Sequence, residues 1–392
     1  MFRIVLAPDS FKGSLSAPQV CAALTAGLTR VWPDAEIRAR PMADGGEGTL
    51  DAVLSAVGDA GSRCHRKVCG ADGRPIDAAY GMLDAPAGCS AVLEAAQVVG
   101  ITDREGMTAQ AGERTTRGMG ELLLALLDQG VRRFMIGLGG SSTNDGGAGV
   151  LAALGVSLCD AKGREIGPGP DGLASLAQVD ASALDPRLAG CAIIIMSDVN
   201  NPLTGEHGAT AIFGPQKGVT PAQIRDYDAA IARFAALAEA AVGRRAAAAP
   251  GAGAAGGLGF ALQLLGGRFQ SGAAVVADLV GLDAALAGAD WVITGEGRSD
   301  AQTLLRKAPF VVAEHARAQT VPVTLISGAI DATALPALGK HFAGCFGLPN
   351  GPATLETCIA NADLLLADRA EQFARILNAT RPRALPQLLH AR

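Results

Sequence analysis

"RFMIGLGGSSTNDGGAG" (residues 133–149) starts as an apolar strand and dissolves into glycine, serine and one Asn-Asp pair before the helical pattern "AGVLAAL". Gly137–Gly149 holds six glycines in thirteen positions. Glycine costs roughly 0.5–1 kcal/mol in a regular element relative to alanine, so this concentration needs a reason. A strand passing through a loop into a helix is the repeating unit of an α/β fold. Without side chains, successive amides of such a loop can turn toward one anion.

Working outward, the same rhythm recurs. Short apolar, β-branched runs predict strands at 2–7, 36–41, 91–96, 133–138, 191–197, 290–295, 321–327 and 362–368. Helical patterns lie between many of them. Val20, Leu24 and Leu28 recur four apart behind the cap candidate Ser16, with Pro18 in the first turn. Leu122, Leu123, Leu126 and Leu127 give a second apolar face, closed by Gly130. This alternation predicts an α/β fold with a mainly parallel sheet. Asp72-Gly73, between two strand-like runs in 68–83, adds an antiparallel hairpin. The run 244–259 ("RRAAAAPGAGAAGGLG") has the composition of a linker. The first sixty residues hold two strands, too few for a sheet of their own, and the last hundred continue the same rhythm. An economical arrangement joins the two ends into one domain with the middle inserted.

The 392 residues exceed the size of one ordinary core, which predicts two domains. A net charge of -5, with no basic block, argues against nucleic acid and anionic membrane as partners. The apolar run in "MFRIVLAPDSFKG" is too short for a signal peptide, and no apolar stretch approaches the ~20 residues of a membrane span. Eight scattered cysteines without a C-x-x-C pair read as buried thiols, and the expected compartment is the cytoplasm. The five histidines show no i, i+4 pairing, which argues against a histidine-ligated metal.

In open parallel sheets, ligands sit beyond the carboxyl ends of strands. Here those ends carry "PDSFKGSLSA" with Asp9, Ser10 and Lys12, "MADGGEGT" with Asp44, and the opening stretch with Gly139, Gly140, Ser141, Ser142 and Thr143. They also carry "SDVNNPLTGEHGAT" with Asp198 and Asn200, and "GEGRSDAQT" with Glu296, Arg298 and Asp300. Singly, each is a turn or a helix cap. Together, five glycine-bearing ends with carboxylates point to a site. The P-loop pattern is absent, and the two G-x-G-x-x-G matches, at 167–172 and 251–256, follow no convincing strand. Carboxylates beside an anion loop repel it unless a divalent cation bridges them, so Mg²⁺ with ATP fits better than a dinucleotide.

"APDSFKGSLSA", "PMADGGEGT", "GLGGSSTNDGGAG", "SDVNNPLTG…GAT…FGPQKG", "GAGAAGGLG" and "VITGEGRSDAQT" together resemble the bacterial type I glycerate kinases, in order and spacing from Phe2 to about Leu377. The resemblance implies phosphorylation of D-glycerate by ATP and Mg²⁺ to 2-phosphoglycerate. It implies a flavodoxin-like domain built from both chain ends, set at 1–64 and 288–392, and an inserted restriction-enzyme-like α/β domain with a mixed sheet, set at 65–287. It also makes Gly251–Gly259 a loop of the site and a helix start, with Gly256 and Gly257 toward the nucleotide. Two positions depart from the family pattern: Arg306 stands before Lys307 where glycine is usual, and Arg117 where an aromatic residue is usual.

Phosphoryl transfer needs positioning, charge neutralisation and a base for the attacking hydroxyl. The expected roles are nucleotide phosphates on Gly139–Thr143, charge neutralisation by Lys12, and the glycerate carboxylate on the guanidinium fork of Arg298, with Ser10 and Asn200 beside the substrate. Asp198 is the expected base, with Asp9 and Asp44 as alternatives, and Asp300 and Glu296 the expected holders of Mg²⁺. A kinase for another small hydroxy acid, and a nucleotide-binding sensor without turnover, are the competing readings. A homo-oligomer stays open.

Overall fold

Val20, Leu24 and Leu28 lie buried along one face of the helix Ala17–Thr29, whose start is marked by a hydrogen bond from the Ser16 amide to Gln19 Oε1 (2.8 Å). That face joins a core with Ile4, Leu6, Trp32, Ile293 and Phe373, so residues from both ends of the chain share one interior. The computed structural model describes residues 2–84 and 88–380. Residues 381–392 of the expected first domain lie outside that range.

The chain divides into two compact units. The first comprises Met1–Pro41, Gly281–Leu305 and Val312–Arg392. Its sheet has the spatial order Gly344–Gly347, Val323–Ser327, Trp291–Thr294, Arg3–Leu6, Glu36–Ala39, with every neighbour parallel. Numbered along this unit, that is 2-1-3-4-5 read from the other edge, the flavodoxin-like order. The order reverses between Arg3–Leu6 and Trp291–Thr294, the point at whose carboxyl ends open α/β sheets bind their ligands.

The second unit comprises Met42–Val280 and Arg306–Val311. Its sheet is mixed, in the order Arg268–Gln270, Ala192–Met196, Arg133–Gly137, Ser90–Glu94, Pro75–Leu83, Gly61–Cys69. The first four strands of that order are mutually parallel, and the last two form the expected antiparallel hairpin. Gly73 sits in the turn at φ +87°.

The chain passes between units at 41/42 and 280/281, upstream of the expected 64/65 and 287/288. The helix Thr49–Val57 explains the first difference. It packs on the strands of the mixed sheet, and its Leu50 amide donates to the buried Glu94 carboxylate.

Three further expectations are corrected. Residues 362–368, read as a strand, open the helix Ala362–Thr380. Ala362, Leu366, Ala370 and Ala374 recur every four residues and are buried, a helical period that a short apolar run conceals. Gly344–Gly347 and Arg268–Gln270 are strands without a sequence signal, the first because glycine carries no side-chain pattern. The 244–259 run is not a linker on composition: Ala246, Ala252 and Ala254 are buried, and Glu239 Oε1 accepts the amides of Ala246 and Ala247 at 2.7 Å each. All eight cysteines are free thiols, but against expectation only Cys21 is fully buried, with Cys89 exposed and the others half-buried; no described helix is long and apolar enough to cross a membrane.

Candidate active site

In the first unit the loops after Arg3–Leu6 and Trp291–Thr294 run side by side at the point where strand order reverses. The Asp9 amide donates to Gly295 O (2.8 Å) and Thr294 Oγ1 to Ala7 O (2.7 Å). Asp9 is buried and its Oδ1 accepts the Ser10 amide. Lys12 is exposed at the start of a tight turn completed by Gly13 at φ +79°. The structure therefore brings Asp9, Ser10, Lys12, Glu296 and Arg298 to adjacent strand ends.

The acidic pair expected to hold a metal is tied into the protein. Glu296 is buried, and its Oε1 accepts the hydroxyls of Ser299 (2.9 Å) and Thr303 (2.6 Å); Ser299 Oγ in turn meets Ser327 Oγ at 2.8 Å. Asp300 caps the short helix Ala301–Leu304, its Oδ1 accepting the Gln302 amide at 2.8 Å. Arg298 projects outward with a 71% exposed side chain, 4.0 Å from Asp331 Oδ2. Among the described residues, no three His, Cys, Asp or Glu side chains gather to hold a metal ion.

In the second unit the loops pack backbone on backbone. Gly45, at φ +87°, lies so close to Met196 that a Cβ would stand 2.7 Å from the Met196 carbonyl oxygen. A Cβ on Gly139 would stand 2.5 Å from Gly46 Cα. Gly139 is thus bare because another chain segment passes over it. Asp198 follows Ala192–Met196, and Ser271 follows the neighbouring strand Arg268–Gln270. Asp44 joins them: its carbonyl lies against Gly272, and its Oδ1 accepts the Gly46 amide at 3.0 Å. Although Asp198 is exposed as a residue, its carboxyl is pushed up, first by desolvation among its neighbours and further by the like charge of Asp44. The Ser271 hydroxyl, facing it, and the Arg306 guanidinium act in the opposite direction. Asn200 is exposed nearby in sequence and has no placed role.

Arg306 adopts φ +63°, a left-handed conformation that a non-glycine residue enters at a cost of roughly 1–2 kcal/mol. That strain is the physical reason for expecting glycine there.

The Gly139–Thr143 loop is built differently from the sequence expectation at two points. The amide and hydroxyl of Ser142 both donate to Val99 O (2.8 and 2.9 Å), so these donors serve the fold rather than a ligand. Gly256 (φ +68°) and Gly257 (φ +97°) face chain rather than open space: Cβ atoms there would stand 2.0 Å from Thr143 O and 2.3 Å from Gly146 Cα. Glycine at 256 and 257 is a packing requirement that shapes the loop from behind.

Beneath the loop lie two cations that sequence reasoning missed. Lys217, 2% exposed, donates to Ser141 Oγ (3.1 Å) and Thr143 O (2.7 Å). Arg114, 3% exposed, donates to Ser142 O (3.1 Å), Lys217 O (2.9 Å), Ala109 O and Met107 O. Burial lowers the Lys217 ammonium to about 7. Asp145 is the buried carboxylate beside them; it accepts the Thr116 amide and hydroxyl and the amides of Gly147 and Gly149. Thr143 Oγ1 and Asn144 Oδ1 are buried and meet no partner among the described residues.

With this geometry in hand, the comparisons with known proteins decide the family. The profile of the glycerate kinase family matches residues 4–378. The chain belongs to the glycerate kinase family. It is 41% identical over 383 residues to the glycerate kinase of Bacillus subtilis (strain 168), covering 96% of this chain and 97% of the relative. It is 42% identical over 329 residues to the glycerate 2-kinase of Escherichia coli (strain K12), covering 84% and 85%. A crystal structure assigned as glycerate kinase 2 from Salmonella typhimurium LT2 superposes with a TM-score of 0.84 at 41% identity, covering 96% of this chain and 98% of that one. Of the two missed cations, Lys217 lay in the quoted motif "FGPQKG", whereas Arg114 lay in none of the quoted motifs.

Proposed function

We propose that the chain transfers the terminal phosphate of ATP to the 2-hydroxyl of D-glycerate, giving ADP and 2-phospho-D-glycerate. The observation that carries this reading is the match to the glycerate kinase family over residues 4–378. The glycerate 2-kinase relative supports the 2-hydroxyl as acceptor.

In this reading the nucleotide phosphates meet the amides of Gly140, Ser141 and Thr143, with Ser142 left to its structural bond. Lys12 neutralises the transferring charge, and the fork of Arg298 takes the glycerate carboxylate, assisted by Ser10. Asp198 accepts the hydroxyl proton; its raised carboxyl is a better base than an ordinary aspartate, and Asp44 supplies part of that rise. Asp9 is buried with Oδ1 on the Ser10 amide, which suits an orienting role. Glu296 Oε1 and Asp300 Oδ1 already accept hydrogen bonds from the chain, so the pair would hold Mg²⁺ through their other carboxylate oxygens, hard ligands that this ion takes together with substrate phosphates. Bound there, the ion would offset phosphate charge. A cytoplasmic location suits the reaction's substrates.

The test is to incubate the chain with Mg²⁺-ATP and D-glycerate, following ADP release and the phosphorylated carbon by ³¹P NMR. Glycerate-dependent ADP with phosphate on C2 is expected. Phosphate on C3 would correct the acceptor, and ADP release with another hydroxy acid in place of glycerate would correct the substrate.

A further inference from the structure

Lys217 is buried, yet no carboxylate lies within ion-pair distance of it among the described residues. Its ammonium rests on one hydroxyl and one carbonyl, Ser141 Oγ and Thr143 O, both belonging to the glycine-rich loop. These account for two of its three protons. The charged groups that face it are Asp145, on the continuation of that loop, and Arg114, which shares the Ser142–Lys217 region through hydrogen bonds to both carbonyls. Two buried cations against one buried carboxylate leave an uncompensated positive charge, an expensive arrangement in a poorly solvated interior unless an anion arrives.

We infer that Lys217 is the positioning residue of the anion loop, and that it couples occupancy of the loop by a polyphosphate to uptake of a proton. This rests on the reading of Gly139–Thr143 as the nucleotide phosphate loop. A hydroxyl has one proton to give and two lone pairs to receive. When Lys217 is an ammonium it donates to Ser141 Oγ, and the Ser141 hydroxyl proton turns outward to a ligand oxygen. When Lys217 is a neutral amine, Nζ becomes an acceptor, the Ser141 hydroxyl proton turns inward to it, and the loop loses a donor. The proton that switches the two states comes from solvent, and no covalent bond other than N–H changes. Because burial, and after it the Arg114 charge, outweigh the pull of Asp145 and bring this ammonium to about 7, both states are populated near neutral pH in the absence of ligand. An anion seated on the loop favours the charged form, so it raises the affinity of Lys217 for its proton; by linkage, the proton raises affinity for the anion to the same degree.

The experiment is calorimetric titration of the full chain with Mg²⁺-ATP between pH 6.5 and 8.5, in buffers of different ionisation enthalpy. The unmodified chain is expected to take up part of a proton per ATP bound at pH 7.5 to 8, with Kd rising by up to tenfold per pH unit above about 7. Lys217→Arg, which stays charged, is expected to bind with no comparable uptake and a flatter profile. Lys217→Met is expected to bind at least tenfold more weakly at pH 6.5. Zero proton uptake by the unmodified chain overturns the inference without recourse to any variant. So does uptake that persists unchanged in Lys217→Arg. Failure of the unmodified chain to bind Mg²⁺-ATP at all overturns this inference together with the nucleotide reading on which it rests, whereas ATP binding without linked protons overturns this one alone.

Discussion

Asp44 stands near enough to Asp198 for its charge to help hold the Asp198 carboxyl above the ordinary range, after the larger effect of desolvation. The two come from segments about 150 residues apart, joined where Gly45 passes over the Met196 carbonyl. This pairing tunes the group proposed to receive the glycerate proton.

Asp198→Asn is expected to lower kcat by about 10²–10⁴, the usual contribution of a positioned base, with ATP affinity little changed. Asp44→Asn should act on pH dependence. Removing the like charge lets the Asp198 carboxyl ionise more readily, so the acid limb of kcat moves to lower pH. Steady-state kinetics from pH 4.5 to 8 checks both; an acid limb that stays in place removes Asp44 from this role.

Lys12 is exposed on a turn, so its loss should leave stability within about 0.5 kcal/mol. If it stabilises transferring charge, Lys12→Ala costs about 10²–10³ in turnover, the range seen for one transition-state donor. A variant with unaltered Tm and near-full turnover would exclude it from the chemistry.

The burial of Lys217 also predicts how stability of the ligand-free chain varies with pH. Its ammonium sits at about 7 in the folded chain, below the ~10.4 of an unfolded lysine. Between these values the unfolded chain binds the extra proton, so stability rises with pH. This contribution has a slope of up to about 1.4 kcal/mol per unit, while below pH 7 the full penalty for the buried charge applies. Denaturant unfolding of wild type and Lys217→Met at pH 7 and 9 should show a gain with pH that is smaller in the variant.

Gly256→Ala tests the packing behind the loop. The new methyl would meet Thr143 O at 2.0 Å from a left-handed backbone, so the loop must shift. We expect a loss of roughly 1–3 kcal/mol from overpacking, together with weaker ATP binding. A fully stable variant with normal affinity would show that Gly256 does not shape the loop.

The sequence alone determined most of the architecture and the chemical class. Strand-loop-helix alternation, the Asp72-Gly73 hairpin and the four-residue spacing of Val20, Leu24 and Leu28 are local signals, carried by side-chain period and backbone freedom within a few residues. The glycine-rich strand ends marked the candidate site for the same reason. What the tertiary structure decided depends on segments distant along the chain. Ser142 spends its donors on Val99, 43 residues away, and Gly256 is bare because Thr143 passes over it. Lys217 reaches Thr143 across 74 residues of sequence. Periodicity cannot announce that a lysine will be buried beneath a loop, because desolvation is a property of the assembled neighbours and not of the residue. Only the folded chain brings the lysine of "FGPQKG" out of solvent and onto Ser141 Oγ and Thr143 O of the glycine-rich loop.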